Sequence, residues 1–70
     1  MANLYSVAVH NERIRRALLA GQRISAGAQR LARRRYLQIE ADSREAALDA
    51  VEAQLPPDEG YVIDAIDLCD

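Results

Sequence analysis

The chain has 70 residues, enough for one domain, and half of them are hydrophobic. A chain this short buries a modest fraction of its surface, and this one contains no Phe and no Trp, so its core is expected to be marginal. One Cys and one His exclude an intrachain disulfide and a structural zinc site. We therefore predict a single domain over residues 1–70, without metal or cofactor, that gains stability from a partner or as a homodimer. A small monomer is the alternative.

No stretch approaches the roughly 20 apolar residues that a bilayer span requires. The N-terminal sequence MANLYSVAVHNER lacks the basic segment and long apolar run of a signal peptide. Together with the lone thiol, these features predict no membrane association and a cytoplasmic location.

The charges are segregated along the chain, although the total is only -2. Residues 1–38 hold eight Arg and one Glu, a net +7, whereas residues 39–70 hold one Arg and ten acids, a net -9. Every basic residue is Arg, whose planar fork suits carboxylates and phosphates. Such segregation indicates a protein that uses charge for recognition.

Residues 4–9, LYSVAV, alternate in polarity with a period of two, which predicts a strand. The core face of that strand is expected to carry Tyr5, Val7 and Val9. Asn11 is a candidate N-cap for the following helix, with Glu12 in the first turn, where the helix dipole favours negative charge.

The segment from 12 to 35 has helical periodicity and contains eight of the nine arginines. At about 100° per residue, four of them share one arc: Arg16, Arg23, Arg30 and Arg34. The glycines weaken a continuous helix, so we predict a helix over 11–20 ended by Gly21, a break, and a second piece over 23–32. A hairpin strand through 22–32 is the alternative.

Residues 34–41, RRYLQIEA, predict the second strand, again from period-two alternation. Its core side would hold Leu37, Ile39 and Ala41. Its other side would hold Tyr36, Gln38 and Glu40.

The sequence DSREAALDAVEAQL is the clearest helix in the chain. Asp42 is its candidate N-cap, with Glu45 three residues later in a pattern typical of a capping box. Its apolar stripe is predicted to be Ala47, Leu48, Val51 and Leu55. Pro56 and Pro57 end the helix, because proline has no amide hydrogen to donate.

Residues 61–68, YVIDAIDL, predict the third strand, but the alternation slips. Period-two alternation would place Asp64 on the same face of the strand as the apolar residues Val62, Ile66 and Leu68. A β-bulge near Asp64, or an edge position for the strand, would relieve this conflict.

The predicted fold class is α+β: a three-stranded β-sheet with helices packed on one face, in the order β-α(α)-β-α-β. The crossover between the last two strands is long enough to make them parallel neighbours or to leave room for the first strand between them. The uncovered face would carry Leu4, Tyr36 and Tyr61, and a bare face on so small a sheet is suited to a partner.

No catalytic set is evident. The three glycines are isolated, so there is no phosphate-binding loop. His10 is interpreted as a strand-end or cap residue and Cys69 as an incidental thiol. The acids at 64, 67 and 70 would point to alternate faces of a strand, which favours a solvated acidic edge over a metal site. We therefore expect no enzymatic activity.

The arginines allow three interpretations. They could track nucleic-acid phosphates, engage acidic groups on a protein partner or a second copy, or offset the acidic half of their own fold. The net negative charge and the lack of a stacking aromatic within the basic run favour a protein partner over nucleic acid. The predicted partner-binding residues are Arg16, Arg23, Arg30, Arg33, Arg34 and Tyr36.

The stretch YLQIEADSREAALDAVEAQL, followed by a turn and YVIDAID, resembles a pattern in the DpnD/PcfM-like small proteins of plasmids and phages. It is similar to that of small anti-CRISPR proteins directed at type I systems. The resemblance covers roughly residues 35–67 and leaves out the Arg-rich segment 12–35. It implies a non-catalytic inhibitor, encoded by a phage or mobile element, that binds a Cas complex and blocks DNA binding or nuclease recruitment in the host cytoplasm. A small nucleic-acid-binding accessory protein is the alternative.

Overall fold

A computed structural model of the chain describes residues 2–69. The strands are β1 (Asn3–Asn11), β2 (Arg35–Ala41) and β3 (Tyr61–Cys69), and the α-helices are α1 (Glu12–Leu19), α2 (Ala26–Gln29) and α3 (Arg44–Gln54). Two short 3-10 turns, Arg30–Ala32 and Pro57–Glu59, precede β2 and β3. The predicted α+β class and its element order are confirmed.

The sheet has the strand order β2-β1-β3, and β1 is antiparallel to both neighbours. Of the two arrangements that the crossover allowed, the one with the first strand in the centre is therefore formed. β2 and β3 occupy the two edges of the sheet. Among residues 2–69, no helix is long and apolar enough to cross a membrane.

The core lies between α3 and one face of the sheet, here called the α3 face. Its most buried members are Tyr5, Val7, Val9, Ala47 and Val51. Half-buried side chains from all three strands pack around them: Leu37, Ile39, Ala41, Ile63 and Ile66. The predicted core sides of β1 and β2 are thus confirmed, as are Ala47, Val51 and Leu55 of the α3 stripe. Leu48 is half-buried and lies outside this cluster.

The opposite side of the sheet is here called the His10 face, and it includes Leu4, Ser6, Ala8 and His10 of β1. Ala8 is only 2% exposed, and Ala32 of the first 3-10 turn lines the same hollow as His10. The segment between β1 and β2 therefore contacts one end of this face, while α3 covers the other face. Tyr61 pairs with Asn11 and lines an apolar groove beside Val51, so the expectation that it lies on the uncovered face is wrong.

The β-bulge predicted near Asp64 is present. Ala8 opposes Ala65 and the next residue, Val9, opposes Ile63, so Asp64 is the extra residue. The bulge keeps both Ile63 and Ile66 against the core and directs Asp64 to the His10 face, where its carboxylate meets His10. A one-residue insertion thereby resolves the slipped alternation of the sequence.

The helix ends follow from side-chain caps. Asn11, 3% exposed, accepts a hydrogen bond from the Ile14 amide at 3.0 Å, as predicted. Ser43, and not Asp42 as predicted, caps α3 by accepting from the Ala46 amide at 3.1 Å. Ser is an equally good N-cap, so sequence alone did not separate the two neighbours. Gly21, at φ 78°, follows the C-cap of α1 as predicted.

Gly60 is held in a conformation and a space that only glycine fits. Its φ is +103°, and an added Cβ would lie 2.6 Å from the Cβ of Arg13 and 2.8 Å from Oδ1 of Asn11. The Gly60 carbonyl accepts from the Glu12 amide at 2.7 Å, which joins this turn to the start of α1.

We therefore expect Gly60→Ala to lower the free energy of unfolding by roughly 1–3 kcal/mol, because it combines left-handed strain with a steric clash. Chemical denaturation followed by circular dichroism measures this. Gly27→Ala is the matched control, since a Cβ there meets nothing within 4 Å and it should stabilise α2 by up to about 1 kcal/mol. Equal effects of the two substitutions would contradict the assignment.

Candidate interaction surface

The arginines do not form a single helical row. Arg16 lies in α1, Arg23 in the connection after it, Arg30 in the 3-10 turn, and Arg33 and Arg34 in the link to β2. The prediction of four arginines along one helix face is therefore wrong, although the predicted break is present. Helix α1 ends at Leu19, with Ala20 as its C-cap, and a new helix starts only after the Ser25 cap.

One group of arginines is paired within the chain. Arg15 binds both carboxylate oxygens of Glu12, at 2.9 and 2.8 Å. Arg16 lies 3.3 Å from the same carboxylate and Arg34 lies 3.6 Å from that of Asp64. Part of the positive charge thus offsets acids of the same fold, as the third interpretation of the sequence expected.

His10 connects these two carboxylates. Its Nδ1 lies 2.7 Å from Asp64 Oδ2 and its Nε2 lies 2.7 Å from Glu12 Oε2. Carboxylates only accept hydrogen bonds, so both contacts are satisfied together when both ring nitrogens carry hydrogen, in the imidazolium form. The side chain is 16% exposed. His10 therefore links the end of β1, the first turn of α1 and the bulge of β3.

The geometry shifts two pKa values in opposite directions. The pKa of His10 is raised above its ordinary value, mainly by the hydrogen bond to Asp64 and secondly by the hydrogen bond to Glu12. Hydrogen bonds from Arg15 and then from His10 lower the pKa of Glu12 to about 2. The side chains of His10, Glu12, Arg15 and Asp64 are here called the His10 cluster, and their contacts favour the charged forms of His10 and Glu12.

A second group of arginines is free of such pairing. Arg23, Arg30 and Arg33 are exposed, and none of them makes an ion pair within the part of the chain that the structure describes. Arg30 and Arg33 line a hollow of about 290 Å³ together with Leu18 and Gln29. These three guanidinium groups, here called the free arginine group, are available to an external anion.

Tyr36 follows this group along the chain and is 68% exposed on the His10 face. Of the six predicted partner-binding residues, the structure leaves the free arginines and Tyr36 open to solvent. Arg16 and Arg34 are exposed as well, and each of them also contacts a carboxylate of the His10 cluster. Whether any of the six binds a partner stays a prediction.

Several acids of the C-terminal half make no ion pair within residues 2–69. The exposed acids of α3, Glu45, Asp49 and Glu52, form no ion pair among the described residues. Asp67 is exposed on β3, and Asp70 lies outside the described residues. Asp64 differs from the expected solvated edge because the bulge directs it to His10. The fold therefore keeps a free basic group on one segment and free acids on others.

Chemistry at the His10 cluster is limited by its own contacts. Both ring nitrogens are occupied by carboxylates, and no group of three His, Cys, Asp or Glu within residues 2–69 is arranged to hold a metal ion. Ser25 and Ser43 act as helix caps, and Cys69 is at the far end of β3. The cluster joins three elements of the fold electrostatically.

Sequence reasoning missed the role of His10. A local signal existed, because His10 and Glu12 are two residues apart at the end of a strand and can share a face. The contact with Asp64 spans 54 positions and depends on the strand order and the bulge, which the sequence left open.

Comparison with known protein families, curated proteins and solved structures finds no match to this chain. The resemblance to small proteins of mobile elements therefore stays a prediction.

The His10 cluster gives an expected pH dependence. The raised pKa of folded His10 means that its contribution to stability is complete below the unfolded value of about 6.5 and is lost as pH rises through the folded value. The lowered pKa of folded Glu12 means that its contribution to stability is present above its unfolded pKa and is lost as pH falls towards about 2. Stability from the cluster should therefore be greatest between about pH 4.5 and 6.5.

Because His10 is the one histidine in the chain, NMR titration of its ring assigns the pKa without ambiguity. Denaturation of the wild type and of His10→Gln across about pH 5.5 to 8.5 tests the linkage. The wild type should lose stability as pH rises, while the variant should show a flatter profile. A titration at or below about 6.5 in the folded state would contradict the assigned hydrogen bonds.

Proposed function

We propose that this chain is a non-enzymatic binding protein that engages an acidic surface of a protein partner through the free arginine group. The observation that carries the proposal is that Arg23, Arg30 and Arg33 are exposed and make no ion pair within the described residues. Arginine forks that make no ion pair among the described residues suit carboxylates on another protein. Tyr36 adds a large amphipathic side chain of the type enriched at interfaces.

The charge distribution supports a protein partner over nucleic acid. The chain has a net charge of -2, and the acids on α3 and β3 that make no ion pair within residues 2–69 would repel a phosphate backbone. A complementary partner surface, acidic at one place and basic at another, would be attracted by both halves. Electrostatic complementarity of this kind contributes mainly to association rate and specificity.

The finer form of the proposal concerns the identity of the partner and rests on the resemblance alone. In that form the protein is encoded by a phage or mobile element and inhibits a type I Cas complex, by blocking its binding to DNA or its recruitment of the nuclease. Its site of action is then the host cytoplasm. Inhibition by occupancy needs no catalytic group, only a surface that covers the target.

The alternative is a nucleic-acid accessory protein that uses the same arginines. The observation that favours it is the same exposed group, with Tyr36 nearby in sequence as a stacking side chain. If the three arginines contact phosphates, the logarithm of the affinity for duplex DNA should fall by roughly 0.9 per phosphate contact for each tenfold increase in salt concentration.

Binding of the purified protein to a purified type I Cas complex and to duplex DNA, across a salt series, separates these functions. We expect binding to the protein complex with loss of its binding to target DNA or to the nuclease. Arg30→Glu should weaken this binding roughly tenfold or more, and the triple reversal of Arg23, Arg30 and Arg33 should abolish it.

Arg44→Glu is the control for charge, because Arg44 is also exposed and is unpaired among residues 2–69. It changes the net charge as much as Arg30→Glu does but lies at the start of α3. Equal weakening by both variants would indicate non-specific attraction. Binding only to bare DNA would support the accessory function, and unchanged binding of the triple variant would refute the role of the arginines.

A further inference from the structure

Within residues 2–69, strand β2 has no pairing partner on one side of its backbone. It is at the edge of the sheet, and β1 pairs with its other side over seven residues without a register shift. Tyr36, Gln38 and Glu40 are exposed, and Leu37 and Ile39 are half-buried. A regular edge strand presents a row of unpaired N–H and C=O groups, which can pair with a strand from another chain.

The charges around β2 change sign from one end to the other. Three arginines, at positions 33–35, lie at its start, and Glu40 and Asp42 lie at its end. In an antiparallel pair of two copies, the basic start of each strand meets the acidic end of the other. In a parallel pair, like charges would meet. The order of the charges therefore selects antiparallel pairing of the strand with itself.

We propose that β2 is the dimer interface of this protein, with β2 of a second copy pairing antiparallel across a two-fold axis centred on Gln38. The seven residues of each strand then overlap fully, with Arg35 opposite Ala41. Arg34 and Asp42 lie one residue beyond the two ends of β2, so the same register places Arg34 opposite Asp42 of the second copy. Arg34, which lies 3.6 Å from Asp64 of its own chain, then has a second carboxylate within its surroundings. The two three-stranded sheets become one of six strands, and each copy contributes the same surface, as in isologous dimers.

The same register joins the two hydrophobic cores. Leu37 of one copy lies opposite Ile39 of the other, and both belong to the α3 face. Because side chains alternate with a period of two, this register keeps the α3 faces of both copies on one side of the combined sheet. Cross-strand apolar and opposite-charge pairs of this kind each stabilise an antiparallel ladder.

The other edge of the sheet is unsuited to the same contact. Strand β3 contains the bulge at Asp64, and bulges interrupt and twist an edge. Its charged residues within Tyr61–Cys69 are Asp64 and Asp67, with no basic residue. Two copies of β3 would therefore bring only like charges together. Of the two edges, β2 alone combines a regular ladder with self-complementary charge.

A charge exchange tests the proposed pairing of Arg34 with Asp42. Arg34→Glu and Asp42→Arg each create two repulsive pairs in a homodimer, so each variant alone should dimerise roughly tenfold or more weakly than the wild type. In a one-to-one mixture of the two variants, the introduced glutamate of one copy faces the introduced arginine of the other, and the unaltered Arg34 and Asp42 face each other. Light scattering across a concentration series should show dimers of the wild type and of the mixture.

The register is tested by a disulfide at the two-fold axis. In a Cys69→Ser background, Gln38→Cys places the new thiol of one copy opposite the new thiol of the other, at a Cβ separation of roughly 5 Å. Glu40→Cys is the matched control, because position 40 of one copy is offset from position 40 of the other by four residues along the strand, roughly 13 Å. Mild oxidation should yield a covalent dimer of the first variant and little of the second.

The outcomes decide the proposal independently of the proposed function, since neither experiment uses a partner. Dimers that form in the mixture and cross-link at position 38 support it. A wild type that stays monomeric at every concentration overturns it, as does equal cross-linking at 38 and 40. Circular dichroism of each variant verifies that the fold is intact, and failure of the mixture to dimerise despite folded variants also overturns it.

Discussion

The fold depends on β1 being covered on both sides and paired on both edges. Val7 and Val9 face α3 and are at most 1% exposed. Ala8 lies on the His10 face and is 2% exposed. In the part of the chain that the structure describes, each of the other two strands hydrogen-bonds to β1 and to no other strand. A chain without Phe or Trp cannot rely on a few large side chains, so a short run of β-branched residues in the centre provides the continuity of the core. Edges, helices and charged segments are all arranged around it.

In the folded structure, the segregated positive charges include a set that is paired with acids of the same chain and a set that is exposed and makes no ion pair within residues 2–69. Some of the positive charge is used locally, where Arg15 and Arg16 neutralise Glu12, and His10 joins that carboxylate to the bulge of β3. Arg23, Arg30 and Arg33 make no ion pair with the acids of α3 within residues 2–69. Surface ion pairs contribute little to stability, so a fold gains little by pairing every charge. The charges that stay unpaired among residues 2–69 are the ones on which the proposed recognition of a partner depends.

The sequence was a good guide wherever a local rule decided the outcome. Period-two alternation located the strands, Asn11 was identified as a cap, and the misplaced Asp64 indicated its bulge. It was a poor guide where two rules of similar strength competed, as for Asp42 and Ser43 at the start of α3. It was also a poor guide where the answer lay in the topology. The arginine row assumed that helical phase continued past Gly21, and the pairing of His10 with Asp64 required the order of the strands. No local pattern carries that information, because the two residues meet only after β3 has joined β1.

The position of β1 also has a consequence for the kinetics of folding. The register joins Leu4 to Cys69 and Asn11 to Tyr61, so the two strands of one ladder come from opposite ends of the described chain. Such pairing requires closure of a long loop before its contacts offset the lost entropy, and proteins dominated by distant contacts fold in milliseconds to seconds, more slowly than helical ones. Helix α3 can form early from its own cap, but the central strand must wait for its second neighbour. During that interval its apolar side chains are accessible, which makes a chaperone or prompt assembly with another chain an advantage.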